Sequence, residues 1–417
     1  MSFNINDYKQ IAGSNEIEEI KLVAGRLEGV RMHNVNSTPS GGGVAEILAR
    51  LIPLLRGIGI DATWDVIRGS EDFYQVTKAF HNALHGEKIN LTDSMFEIFE
   101  HYTNLNLDLF DKEADCYLIH DPQPVGLIRK RSVSPASKWI WRCHIDVSRP
   151  DESIWGFISE DIEKYDATVF TMPEFSRPIP VPQFLVTPSI DPLADKNKEL
   201  NGKTVMQVAE KYDLNPERPI ITQVSRFDRL KDPIGVIKSY KLVKKRMDCQ
   251  LVLAGGGAQD DPESCGVLDE IREAAGDDPD IKILELPPFS DIEINALQRA
   301  SAIILQKSVR EGFGLTVTEA LWKGVPVIGS AVGGIKAQVI NGVTGYLIYS
   351  IEGCAHRIEE LLRDPEKGKT MGRNGKELVR SRFLITRHLK NYLLLMLALL
   401  KTLNRDLFER QIFMLSA

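Results

Sequence analysis

Two doubly wound α/β domains are the fold class that this sequence predicts, on three observations. Short apolar, β-branched runs alternate with helical patterns, 417 residues can fill two cores, and a proline-dense stretch divides the runs into two series. The first series, residues 30–35, 62–67, 116–119, 139–143, 167–172 and 184–187, predicts the strands of one parallel sheet. The second, residues 220–224, 251–254, 281–286, 303–306, 325–328 and 345–348, predicts another. Between them, residues 173–192 read as a stiff connector, because proline removes backbone donors and favours extended chain. The polar stretch 191–198 then sets the boundary, with a first domain over 1–195 and a second over 196–385. A cleft between the two is expected. No strand pattern follows Tyr349, so the remainder is expected to be helical and to cap the second sheet, with 386–417 returning toward the first domain.

Composition narrows the functions this chain can have. With 43% hydrophobic and 26% charged residues it has an ordinary soluble balance. A formal charge of -7 argues against nucleic acid as a partner, since such binding needs a clustered basic surface. An anionic ligand must therefore be held by a few local cations. The five cysteines (Cys116, Cys143, Cys249, Cys265, Cys354) are odd in number and form no Cys-x-x-Cys pair. They read as reduced thiols of a cytoplasmic protein, with no disulfide framework and no zinc site. The charged start (Asp7, Lys9, Glu16, Glu18, Glu19) leaves no room for an apolar signal segment. The longest apolar run, residues 393–400, is too short to span a bilayer and reads as a packing helix.

The most informative stretch is Glu311-Gly312-Phe313-Gly314-Leu315-Thr316-Val317-Thr318-Glu319. In one continuous helix the two acids would sit about 80° apart around the axis and roughly 12 Å apart along it, too far to share a ligand. Gly312 and Gly314 instead break the chain before a helix begins, which makes Glu311 a loop acid folded over a helix N-terminus and Glu319 an acid within the helix. A ligand there could also meet the free N–H groups of Leu315 and Thr316. Arg226 and Lys231 follow the first strand of the second half, where side chains point into the crevice of an α/β sheet and could neutralise a diphosphate.

The glycine run Gly41-Gly42-Gly43 lies between a strand and a helix, without the Lys-Ser/Thr of a Walker loop, and reads as a place where a ligand approaches backbone. A second run, Gly255-Gly256-Gly257, leads into acidic residues and reads equally well as a turn or as loop closure over a ligand. His144 and Asp121 each follow a strand of the first half. A carboxylate there suits a polyhydroxylated ligand, while a plain turn cap remains open for Asp121 and a structural role for His144. Metal-ligand spacings are absent, as is the Gly-x-Ser-x-Gly elbow of a serine hydrolase.

Together, Ser225-Arg226 with Lys231, the Glu-x7-Glu stretch, Gly324-Val325-Pro326-Val327-Ile328-Gly329, Gly333-Gly334 and Asn341-Gly342-Val343-Thr344-Gly345 resemble the retaining glycosyltransferases of family 4. That family has the GT-B architecture of two Rossmann-like domains facing each other across a cleft. Within it, His120-Asp121-Pro122-Gln123, Arg142-Cys143-His144-Ile145-Asp146 and Ser308 to Ala320 look like the glycosyltransferring trehalose synthase group. One departure is Pro188-Ser189-Ile190-Asp191, where the family usually reads Pro-x-Gly-x-Asp.

The resemblance implies transfer of glucose from a nucleoside diphosphate glucose to free glucose. Arg226 and Lys231 would hold the diphosphate, helped by Leu315 and Thr316, and Glu319 would bind the ribose. Glu311 with Phe313 and Gly314 would bind the donor glucose, and His144 would touch it near the reacting carbon. Gly42 and Gly43 would border both substrates, while Asp121, His144 and Asp146 would serve the acceptor. It implies no tightly bound cofactor and no metal ligands: UDP-, ADP- or GDP-glucose is the co-substrate, and Mg2+ could assist without dedicated protein ligands. Partners are small sugars and sugar nucleotides, with a homodimer left open. Other readings stay open: a different acceptor, a glycoside hydrolase or phosphorylase on the same carboxylates, and a sugar-nucleotide sensor on the same fold.

Overall fold

The computed structural model describes residues 4–40, 42–110, 113–133, 136–256 and 262–400. The described chain forms two compact units, one from residues up to 188 together with 385–400, the other from residues 189–384.

In the first unit, β1 (Arg31–Asn36), β2 (Asp61–Val66), β3 (Cys116–His120), β4 (Lys138–Arg142), β5 (Ala167–Phe170) and β6 (Gln183–Leu185) form a sheet in the order β2-β1-β3-β4-β5-β6. Every pairing is parallel. Alternation of side chains builds a core on each face. Met32, Leu118, Ile140 and Val169 pack with Ile20, Leu51, Leu389 and Leu393 on one side. Tyr117, Ile119, Trp139, Trp141 and Phe170 pack with Phe73, Phe99 and Ile154 on the other. Both faces being covered is why these strands read as continuous apolar runs.

The second unit repeats the plan with β7 (Ile220–Val224), β8 (Gln250–Gly255), β9 (Ile281–Glu285), β10 (Ile303–Gln306), β11 (Val327–Ser330) and β12 (Gly345–Ile348), ordered β12-β11-β10-β7-β8-β9. These pairings are also parallel. Each predicted run coincides with one strand, with ends shifted by a few residues. In both sheets the chain winds outward on one side and then crosses to the other. That leaves switch points between β1 and β3 and between β7 and β10, where the carboxyl ends of parallel strands open a crevice.

The apolar run at 393–400 lies in the helix Ile385–Leu400, which buries Leu389, Leu393 and Met396 in the first unit. No helix among the described residues is long and apolar enough to cross a membrane. Cys116, Cys143, Cys249 and Cys354 are buried free thiols, whereas the Cys265 side chain and residues 401–417 lie outside the described part.

One close approach fixes how the helix Pro365–Arg382 lies against the end of Leu315–Trp322. A Cβ on Gly372 would stand 1.8 Å from the Gly324 carbonyl oxygen, which is backbone and cannot swing away. Gly372→Ala should therefore lower the stability of the second unit by about 1–3 kcal/mol, the usual cost of overpacking. Denaturant unfolding of the variant checks this.

Candidate active site

At the β7/β10 switch point a lysine from one strand's loop meets a carboxylate from the other's. Lys231 Nζ donates to Glu311 Oε2 at 2.7 Å, with side chains only 18% and 10% exposed. Lys231 ends a short 3-10 turn, Arg229–Lys231, that the Asp228 side chain caps by accepting from Leu230 N. The Lys231 carbonyl accepts from Gln223 Nε2 at 3.0 Å, and Val309 N donates to the Leu230 carbonyl at 2.7 Å. The two loops are thus tied by backbone as well as by charge.

The same Glu311 oxygen accepts from Ser308 Oγ at 3.0 Å and Gln306 Nε2 at 3.2 Å, while Oε1 receives no hydrogen bond from the described residues. Gln306 Oε1 in turn accepts from Thr316 Oγ1 at 2.9 Å, linking the acid to the start of the helix Leu315–Trp322. Gly314 caps that helix with a left-handed backbone, φ 81. Gly333, also left-handed at φ 46, packs so tightly that a Cβ would lie 1.6 Å from the Glu311 carbonyl oxygen. Gln338 Nε2 closes the loop by donating to the Phe313 carbonyl at 2.5 Å. A cavity of about 260 Å³ adjoins the acid's loop through Ser308 and is also lined by Asp232, Lys307 and Tyr349.

Other predicted residues are placed differently. Arg226 lies beyond β7, its side chain 60% exposed and 3.6 Å from Asp228. Glu319 is 2% exposed, with Lys196 Nζ 3.7 Å away. Lys323 is buried in the same region, where burial pulls its ammonium down to about 7. Each of the two carboxylates therefore has a cation of its own. Phe313 is buried edge-on against Phe383, with ring centres 5.6 Å apart. Gly255 is a packing requirement, since a Cβ there would meet the Ser225 carbonyl oxygen at 1.8 Å; Gly257 lies outside the described residues.

In the first unit, Gly42 caps and Gly43 opens the helix Gly43–Gly57 beyond β1, and Gly41 lies outside the described residues. Asp121 follows β3 in a left-handed conformation, φ 68, which is uncommon for a residue other than glycine. Its amide donates to the Arg142 carbonyl at 2.7 Å and its Oδ1 accepts from His144 N at 2.8 Å. Burial pushes this carboxyl up to about 6, against the opposing pull of the His144 N–H and the Arg142 charge. Asp146 accepts from Ser148 N at 2.9 Å as a local turn.

His120 and His144 stack with ring centres 5.3 Å apart and share a hydrogen bond, His120 Nδ1 to His144 Nε2, of 3.0 Å. Asn34 Nδ2 donates to the Thr63 carbonyl at 3.3 Å, so Asn34 Oδ1 faces His120 Nε2 at 3.3 Å as an acceptor. An uncharged His120 then carries its proton on Nε2 and accepts from His144 at Nδ1, which leaves a lone pair on His144 Nδ1. Sequence reasoning missed His120, Gln306, Gln223 and Gln338 as site builders. A polar residue at the last position of a buried strand, as with His120 and Gln306, was the available signal. Among the described residues no group of three His, Cys, Asp or Glu side chains is arranged to hold a metal ion.

Two outcomes follow from this geometry. Because the folded-state value of Asp121 is raised, its contribution to stability is present below its ordinary value of 3.8 and is lost as pH rises through about 6. Asp121→Asn should therefore be more stable than the parent by about 1–3 kcal/mol at pH 7 and not at pH 4, as urea unfolding at the two pH values will read. Gly333→Ala should displace the Glu311 loop and cut turnover by at least about tenfold while leaving the histidine pair of the first unit intact.

Comparison with known proteins accords with both units. Residues 34–177 match the family model described as trehalose synthase, N-terminal domain, and residues 207–378 match glycosyl transferases group 1. A trehalose synthase of Pyrococcus horikoshii is 46% identical over 395 residues, covering 93% of this chain and 95% of the relative. A trehalose phosphorylase of Pleurotus pulmonarius is 31% identical over 397 residues, covering 82% of this chain but 54% of that protein. The solved trehalose-6-phosphate synthase OtsA superposes with a TM-score of 0.72 at 13% identity, over 89% of this chain and 99% of its own, which shows the GT-B fold. One expectation is corrected by these findings. The relatives bear the names trehalose synthase and trehalose phosphorylase, and neither name specifies a nucleoside diphosphate glucose donor with free glucose as acceptor. That pairing is withdrawn as the reaction of this chain. By its identity over nearly the full length of its relatives, the chain belongs to the trehalose synthase family of GT-B glycosyltransferases.

Proposed function

We propose that this enzyme synthesises trehalose by glucosyl transfer from a donor whose leaving group is a phosphate-class anion. The observation that carries this reading is the Lys231–Glu311 pair at a switch point, beside the opening turn of the helix Leu315–Trp322. A lysine and helix N–H groups stabilise charge that develops on a departing phosphate. Arg226 adds a second cation from the same loop. Glu311, with Oε1 open, accepts a hydroxyl of the donor sugar. In the first unit Asp121 and His144 supply acceptors for sugar hydroxyls.

The reaction is retaining, as in family 4. The bond from the anomeric carbon to the phosphate oxygen breaks while an acceptor hydroxyl forms its bond on the same face, and the leaving phosphate takes the hydroxyl proton. No side chain of the site need become covalently glycosylated. The cations fit a leaving group of the phosphate class as such.

The test uses the full chain in three separate mixtures: glucose 1-phosphate with glucose, nucleoside diphosphate glucoses with glucose, and maltose alone. NMR identifies the product and its linkage. Trehalose should form in at least one phosphate-bearing mixture, and Lys231→Ala or Arg226→Ala should cut that rate by about 10²–10³. Trehalose from maltose alone, at a rate that neither substitution changes, would overturn the reading.

A further inference from the structure

Beneath the histidine pair of the first unit lies a buried cation that the proposed reaction does not use. Arg142 ends β4, directly opposite His120 in the parallel register of β3 and β4, and is 0% exposed. Its Nη2 donates to Thr171 Oγ1 at 3.3 Å, while its Nε and Nη1 find no hydrogen-bond acceptor among the described residues. Burying a guanidinium in this way carries a desolvation cost that an apolar side chain of similar volume would not. Such a charge needs a reason beyond packing.

Its surroundings supply one. The Arg142 charge reaches His120 at the end of β3, His144 in the following loop, and His388 on the helix Ile385–Leu400. His388 is itself fixed by its ring contact with the Thr187 carbonyl at 2.9 Å and stands beside Tyr392, ring centres 4.9 Å apart. Asp121 is the carboxylate on which the same charge acts, and it is engaged by His144 N. Cys143, also at this position, is a buried thiol whose ionisation burial opposes.

We propose that Arg142, acting with the Asn34–His120 pair, is a positioning residue that holds His144 as an uncharged imidazole whose Nδ1 accepts a hydrogen bond from a substrate hydroxyl. This rests on the reading that the first unit orients a sugar. Asn34 and His120 set the tautomer, because Asn34 can only accept at Oδ1 and each ring then passes its proton the same way. Arg142 adds to burial in keeping the rings uncharged, because an imidazolium at either ring would lie close to a buried guanidinium. Burial, and after it the Arg142 charge, pull His120 down to about 3 and hold His144 well below its ordinary value. A protonated His144 would present a donor at Nδ1 and lose the hydroxyl contact.

The full chain labelled with 15N-histidine gives a readout independent of activity, with signals assigned through His120→Asn and His144→Asn. His120 and His144 should both show the Nε2–H tautomer and take up no proton from pH 8 to pH 5. In Arg142→Met and Arg142→Gln, which remove the charge but keep much of the volume, protonation of the pair should begin within that window. Turnover of these variants should then acquire a loss on the acid side, about tenfold per pH unit below the new midpoint, that the parent lacks. Ordinary titration of both rings in the parent, or unchanged titration in a folded variant, would overturn the proposal. Failure of both variants to fold would also overturn it, by making the guanidinium a structural element alone. Failure of the trehalose assay with the titration as described would leave the histidine assignment standing and remove only the reaction.

Discussion

The ion pair between Lys231 and Glu311 is the interaction on which the second unit's site depends. Its partners lie 80 residues apart in sequence yet 2.7 Å apart in space, because the sheet order makes β7 and β10 neighbours. Neither group is well solvated, so each would be costly alone, and each makes the other tolerable. Around the pair, Gln306 carries the connection into the opening turn of a helix, and Gly333 supports the acid's backbone at a distance no side chain could share. A carboxylate, an ammonium and a helix N-terminus thus become parts of one rigid surface, which suits stabilisation of charge without reorganisation.

The first unit reuses the topology with opposite chemistry. At the ends of β3 and β4 the groups are a histidine pair kept uncharged, an aspartate in a left-handed backbone, and a buried arginine. Neutral acceptors and one carboxylate suit hydroxyl groups, whereas the second unit's cations suit an anion. The left-handed Asp121 backbone and the Arg142 nitrogens without a partner among the described residues mark where this unit gives up stability.

The strands were legible because a sheet covered on both faces writes itself as short apolar runs, and that signal is local. Lys231, Glu311 and Gly314 were legible for a related reason: their positions follow from where strands end and helices begin. What the sequence did not disclose are the pairings that need the strand order. Gln223 supports Lys231, Gln306 bridges Glu311 to Thr316, and Asn34 orients His120, each across a sheet or between loops. Glu319 shows the limit from the other side. Its helical position was readable, but its burial beside Lys196, a residue of the boundary stretch, was not. Arg142 was read only as part of a motif, since a charge at a strand end gives no sign of being completely enclosed.

The central claim is that the second unit recognises an anion through Lys231. Calorimetric titration of the full chain with glucose 1-phosphate, and in parallel with maltose, tests it most directly. The account predicts that Lys231→Met weakens binding of the phosphate by at least about tenfold, roughly 1.4 kcal/mol, and leaves maltose unaffected. Equal affinity of the parent and the variant for the phosphate would contradict it.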